Sequence, residues 1–138
     1  MFRTTAGMAA ALGAVIADLP PGFHAVAVAD SHLVVGPTGA FLLTATDGDP
    51  AEAAAHLGRL AQRLRVLLTV QVGTTPYLDA LVVAEPGRHV SPLAPVVAPR
   101  RVRDTLLSGP ELLTVDAVGR LLAGVQAAAR DLLDEPAP

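Results

Sequence analysis

The segment SHLVVGPTGAFLLTAT, residues 31–46, constrains the fold of this chain more than any other stretch. Apolar residues alternate on both sides of a Gly-Pro-Thr-Gly sequence, which predicts two antiparallel strands joined by a tight turn. Pro37 fits the first central turn position because its ring fixes φ, and Gly39 fits the left-handed position that follows. We therefore expect strands at residues 32–36 and 40–45.

A helix and a further strand precede this hairpin. Residues 23–29 alternate and are rich in valine, which predicts a strand, so three sequential antiparallel strands should form the centre of a sheet. The preceding segment has apolar residues at helical spacing and is stopped by Pro-Pro-Gly at residues 20–22. Its single arginine and apolar run also imitate a weak secretory signal, the less favoured interpretation. The predicted buried stripe of the helix is Met8, Leu12, Val15, Ile16 and Leu19.

A second helix follows the hairpin. Asp49 is a good N-cap, Pro50 suits the first helical position, and Glu52 completes a capping box. Whether residues 66–77 continue this helix or form a short strand stays open. The predicted buried stripe consists of Leu57, Leu60, Ala61, Leu64 and Leu68.

The rest of the chain predicts two strands and two helices. Residues 78–84 indicate a buried strand, and residues 93–97, flanked by prolines, indicate an edge strand. A helix should begin at Pro99 and end before Gly109, and the last helix should have Thr114 as its N-cap. The order α-β-β-β-α-β-β-α-α within one domain, residues 1–138, predicts an α/β (α+β) fold with helices on a mixed sheet. Residues 134–138 should fray.

The composition excludes several kinds of chemistry. The chain has no cysteine, which removes disulfides, thiolate nucleophiles and Cys-ligated zinc and fits a cytoplasmic location. All ten basic residues are arginine, so no lysine amine can act as a base. The net charge of −3 provides no general attraction to nucleic acid. The N-terminal apolar run is too short to cross a bilayer, so we expect no membrane partner.

The hairpin and the helix before it resemble the nuclease-related domain (NERD) family of the PD-(D/E)xK nuclease-like superfamily. Bacterial members carry a similar hairpin, and PVVAPRRVRDTLL, residues 95–107, is similar to the family's last strand and following helix. The resemblance covers most of the chain and implies a restriction-endonuclease-like core. The residues that match in register are His32, Val34, Val35, Gly36, Pro37, Gly39 and Phe41.

The resemblance also shows where this chain departs from the family's chemistry. The family uses a carboxylate on the second strand, an acid and a lysine two residues apart on the third, and often a glutamate in the first helix, to hold a divalent cation and activate water. The corresponding residues here are Ser31, Thr44 and Thr46, with Met8 or Ala9 in the helix. All are neutral, which implies a degenerate site with no catalytic residue, bound metal or cofactor.

A displaced site is the first alternative. Asp30, Asp47 and Asp49 could form a noncanonical metal cluster for a metal-dependent nuclease. Asp30 lies one residue before the expected acid, and strand alternation would turn it to the opposite face unless a bulge restored it. The favoured interpretation is that Asp47 belongs to a turn and Asp49 caps a helix.

A nucleic-acid-binding remnant is the second alternative. Arg100, Arg101 and Arg103 open a predicted helix and could contact phosphate, although a solvated helix face explains them better. We expect instead a non-catalytic domain that binds an unknown protein partner or another copy of itself. The mean hydropathy of +0.48 is compatible with a partner-covered face, although the high alanine content explains the value better. The four histidines, none at metal-binding spacing from another, are expected to be structural: His24, His32, His56 and His89.

Overall fold

A computed structural model describes residues 7–73, 78–85 and 95–134 of the chain. Within these ranges the helices and strands follow the predicted order. Residues 1–6, 74–77, 86–94 and 135–138 lie outside the described part, and with them His89 and most of the expected frayed tail. The elements are α1 (Gly7–Ala17), β1 (His24–Val28), β2 (Ser31–Gly36), β3 (Gly39–Ala45), α2 (Pro50–Val72), β4 (Leu78–Val83), β5 (Val96–Val97), α3 (Pro99–Leu107) and α4 (Val115–Asp134).

The five strands form one mixed sheet in the order β1-β2-β3-β4-β5. β1, β2 and β3 are antiparallel neighbours, whereas β4 pairs parallel to β3 and β5 parallel to β4. The expectation that the three antiparallel strands form the centre is therefore wrong in one respect. β3 is the central strand, and β1 lies at an edge because the parallel strands add only on the other side. β5 occupies the opposite edge, as its flanking prolines predicted.

The sheet separates two helical layers. Alternate residues of a strand point to opposite faces, so β3 sends Leu42 to one core and Leu43 to the other. The face that carries Leu42 packs against α2 and α4 and is called the α2–α4 face. The other carries Leu43, packs against α1 and α3, and is called the α1–α3 face. Burial on both faces explains the nearly continuous apolar runs of β2 and β3.

Local turn chemistry fixes the hairpin where it was predicted, but the turn is one residue shorter, because Gly39 belongs to β3 and not to the turn. Gly36 pairs with Gly39, which leaves Pro37 and Thr38 as the turn, and Gly39 has a φ of 131° that favours glycine. Gly36 is required for a different reason, since a Cβ there would collide with the ring of Phe23.

The helix boundaries answer the question left open by the sequence. Residues 66–72 continue α2, which ends at Gly73 in the left-handed conformation with its N–H donating to the carbonyl of Thr69. The predicted caps at Asp49 and Thr114 are confirmed, because their side chains accept hydrogen bonds from the N–H groups of Ala51 and Ala117. Across the described residues, none of the helices combines the length and apolar character that crossing a bilayer requires.

Candidate functional site

A cleft of about 360 Å³ opens where β3 ends and α2 begins. Thr44 lies on the same strand face as Leu42, so its side chain points toward α2, and Thr46 continues this alternation just beyond the strand. The start of α2 and the turn between β1 and β2 complete the walls. The lining residues are Asp30, Thr44, Ala45, Thr46, Gly48, Asp49, Glu52, Ala53 and His56.

Two of the three positions that the resemblance assigns to the family's chemistry line this cleft. Thr44 and Thr46 share it, as a spacing of two on a strand requires, whereas Ser31 is buried and donates to Asp30 Oδ1 at 3.3 Å. Thr46 Oγ1 accepts the N–H of Gly48 at 3.0 Å and shapes the loop before α2. Thr44 is only 7% exposed, and its hydroxyl makes no hydrogen bond within the described ranges. Its oxygen nevertheless stays open to the cleft, because no fully buried side-chain polar atom among the described residues lacks a partner.

Asp30 lines the cleft because it lies in a turn, where the alternation of strand faces does not apply. Val28 pairs with Ser31, so Ala29 and Asp30 form the two-residue turn between β1 and β2, and Ala29 has a φ of 53°. This left-handed conformation is uncommon for alanine. Because Asp30 belongs to the turn and not to a strand, the face rule does not apply to it, and its carboxylate lies at the rim of the cleft.

Asp30 is held in place by a histidine of α2. His56 Nε2 lies 3.1 Å from Asp30 Oδ1, and the two side chains are 49% and 66% exposed. Burial raises the pKa of the Asp30 carboxyl, but the hydrogen bond and charge of His56, with smaller contributions from the local backbone and Ser31, outweigh it and lower the pKa. No local signal could have revealed this contact, since the residues are 26 positions apart.

The other two aspartates of the alternative metal site serve helix ends. Asp47 Oδ1 accepts the N–H of Met8 at 3.3 Å at the start of α1, and Asp49 Oδ1 accepts the N–H of Ala51 at 2.9 Å at the start of α2. Both carboxylates complement the positive end of a helix dipole. Asp47 is outside the cleft lining. Within 7–73, 78–85 and 95–134, no three acidic or histidine side chains are grouped so as to hold a metal ion.

The start of α1 lies near the cleft but adds no carboxylate to it. Met8 is buried in the core and Ala9 is exposed, and neither lines the cleft. Among the remaining described histidines, His24 is exposed and His32 is half-buried, and both lie outside the lining.

The three arginines of the second alternative lie elsewhere. Arg100, Arg101 and Arg103 are exposed on α3, while Val102 and Leu106 of the same helix are buried. The N-cap position of α3, Ala98, provides no side-chain hydrogen bond. The arginines therefore occupy a solvated face on the α1–α3 side, apart from the cleft.

The charged side chains that line the cleft are predominantly acidic. Its lining includes the carboxylates of Asp30, Asp49 and Glu52, together with His56, and no arginine. Such a site favours a cation and disfavours a phosphate group.

No protein-family model, curated protein or solved structure matches this chain.

Proposed function

We propose that this chain is a nuclease-like domain of the PD-(D/E)xK type that has no nuclease activity and acts through protein–protein contacts. Three features support the nuclease-like assignment: the order of elements, the antiparallel β1-β2-β3 sheet extended by a parallel β4, and the shared cleft of Thr44 and Thr46. The shared cleft matters because Thr44 and Thr46 occupy the positions where the family has its acid and its lysine.

The observation that carries the proposal is the chemistry of that cleft. Threonine hydroxyls are neutral and weak ligands, so Thr44 and Thr46 cannot hold a hard divalent cation as carboxylates do. Asp49 already accepts a helix N–H, and Asp30 is paired with His56. The chain has no lysine to replace the missing cation. A phosphodiester would meet carboxylates with neither a metal ion nor an amine to offset them, so hydrolysis has no source of activated water.

Protein contact is the role that these features leave open. Large apolar side chains are exposed on the described surface, among them Val66 and Val70 on α2 and Val115 at the start of α4. Their exposed fractions of 59%, 77% and 88% make them available to a partner. A cytoplasmic location is part of the proposal and is supported by the absence of cysteine.

A cleavage assay tests the proposal. The full chain is incubated with double-stranded DNA, single-stranded DNA and RNA in the presence of Mg²⁺ or Mn²⁺, and Asp30→Asn is assayed in parallel. We expect both proteins to leave every substrate intact. Metal-dependent cleavage by the unaltered chain that Asp30→Asn abolishes would overturn the proposal and favour the displaced carboxylate site.

A further inference from the structure

β1 is an unprotected edge of the sheet. Proteins usually protect an exposed edge with proline, a charged side chain or a very short strand, because its free N–H and C=O groups would pair with another chain. β5, at the opposite edge, has only two residues and lies between prolines. β1 has five residues, HAVAV, with no proline and no Asp, Glu, Lys or Arg. Among the described strands, β1 is therefore the edge suited to accept a further strand.

The register of the β1-β2 hairpin shows which backbone groups face outward. Val28 and Ser31 flank a two-residue turn, which makes them a hydrogen-bonded pair. Because such pairs occur at every second position of an antiparallel ladder, the N–H and C=O groups of Ala25 and Ala27 point away from β2. No described residue pairs with these groups, and both alanines are exposed. The free groups lie symmetrically on either side of Val26.

We infer that two copies of this chain pair through β1, antiparallel and with Val26 on the two-fold axis. The inference rests on the proposed function and names the partner. In this register Ala25 of each copy lies opposite Ala27 of the other, so the outward N–H and C=O groups all gain partners. Val26 meets its own equivalent on the α2–α4 face, next to the core that it already contacts. The β5 edges stay blocked, so the assembly closes as a dimer.

The charges along this contact suit a second copy. β1 contributes no carboxylate, arginine or lysine, and the chain's net charge of −3 leaves only weak repulsion between copies. The exposed His24 of each copy lies opposite Val28 of the other, next to the turn that contains Asp30. An imidazole therefore approaches a carboxylate at both ends of the contact, and no like charges meet.

The area that a stable dimer needs makes α4 the second element of the contact. Such a dimer buries about 800 Å² from each copy, about a tenth of this chain's surface of 8147 Å². A five-residue strand is too short to supply this area, but α4 packs on β1 and extends the contact. The Pro37 carbonyl, next to the His24 end of β1, accepts the N–H of Leu112. Leu112 and Val115 are 64% and 88% exposed there and supply apolar area.

Paired charge variants of the full chain test the register. Ala25→Glu/Ala27→Glu and Ala25→Lys/Ala27→Lys should each fold, since both alanines are exposed. Each should weaken dimerisation by about tenfold or more, because like charges then lie directly opposite each other. An equimolar mixture of the two should associate, because every glutamate then faces a lysine. Sedimentation equilibrium measures the association. Ala10→Glu/Ala14→Glu, at exposed alanines of α1, is the matched control and should change nothing.

The absence of cysteine allows a second test by cross-linking. Val26→Cys introduces a single thiol, which should meet its equivalent in a non-hydrogen-bonded pair with the Cα atoms about 4.5 Å apart. That distance suits a disulfide. Ala25→Cys and Ala27→Cys are matched controls, because each thiol would lie two residues along the strand from its own equivalent. Under mild oxidation we expect a covalent dimer of Val26→Cys and monomers of both controls on non-reducing electrophoresis.

Four outcomes would overturn the inference: a monomer at every concentration, a dimer that the charge variants leave unchanged, mixed variants that fail to associate, or cross-linking of Ala25→Cys as efficient as that of Val26→Cys. A monomer would leave the β1 edge to a strand of a different protein, and the proposed role in protein contacts would survive. Failure of the proposed function has a separate readout, because the cleavage assay detects nuclease activity whatever the oligomeric state.

Discussion

The two ends of the central strands β2 and β3 carry the same residue type in opposite situations. At the turn, Thr38 is 9% exposed and donates its hydroxyl to the carbonyl of Leu106 in α3. The neighbouring Pro37 carbonyl accepts the N–H groups of Leu112 and Leu113 at 2.7 and 3.0 Å, which ties down the segment before α4. At the other end, Thr44 is 7% exposed and its hydroxyl meets only the cleft.

The difference separates the part of the fold that provides stability from the part that is available for binding. The turn end joins the hairpin to α3 and to the segment before α4 through hydrogen bonds made across long stretches of sequence. The cleft end is bounded by helix caps and by the exposed contact between Asp30 and His56, and the Thr44 hydroxyl there is open to the cleft. We therefore expect the same substitution to change the free energy of unfolding by different amounts at the two ends.

The largest expected effect comes from removing the hydroxyl at the turn end. Thr38→Val should lower the free energy of unfolding by about 1–3 kcal/mol, because the buried carbonyl of Leu106 loses its donor. Thr44→Val has the same change of shape and should alter stability by no more than about 0.5 kcal/mol. Urea unfolding followed by circular dichroism measures both. Equal losses of unfolding free energy in Thr38→Val and Thr44→Val would contradict the proposed difference between the two ends.

A smaller effect is expected at the cap of α2. Asp49→Ala should cost about 1 kcal/mol, because the N–H of Ala51 loses its acceptor. Asp49→Ser retains a capping oxygen and should recover most of this loss. The same unfolding measurement distinguishes them. An Asp49→Ala variant as stable as the unaltered chain would show that this carboxylate does not stabilise the helix and is available to a ligand instead.

The smallest effect concerns the hydrogen-bonded contact between Asp30 and His56 at the rim of the cleft. His56→Ala should lower stability by less than about 1 kcal/mol, since both side chains are largely exposed. The variant should also raise the pKa of Asp30, because it removes the hydrogen bond and charge that lower it. Carboxyl carbon NMR titrations of the two proteins measure this shift.

The pH dependence of this pair follows from the direction of the shift. Because the pKa of Asp30 is lower in the folded protein than its ordinary value of 3.8, ionised Asp30 contributes stability above pH 3.8. The contribution is lost as the pH falls through the lower folded pKa. The stability difference between the unaltered chain and His56→Ala should therefore narrow in acid, and a difference that widens there would contradict the assignment.

The fold could be predicted where local chemistry decides the structure. Turn residues and alternation define the hairpin, and Asp49 with Pro50 defines the start of α2. Strand order depends on contacts between residues far apart in the sequence, so the edge position of β1 could not be predicted. The continuation of α2 through residues 66–72 was undecided because valine and threonine suit helix and strand alike in a short apolar run.

The candidate site could be predicted only in part. The spacing of Thr44 and Thr46 places both in one cleft, which strand geometry alone implies. The contacts of Asp30 with His56 and of Asp47 with Met8 join residues 26 and 39 positions apart. These contacts depend on how α2 and α1 pack on the sheet, so no sequence pattern predicts them.

The central proposal is that the cleft, among the described residues, offers no set of side chains that would hold a divalent cation. Calorimetric titration of Mn²⁺ into the full chain and into Thr44→Asp/Thr46→Lys tests it most directly. We predict no saturable heat for the unaltered chain and measurable binding for the variant, whose aspartate joins Asp30 in the cleft. Saturable Mn²⁺ binding by the unaltered chain that disappears in Asp30→Asn would contradict the claim.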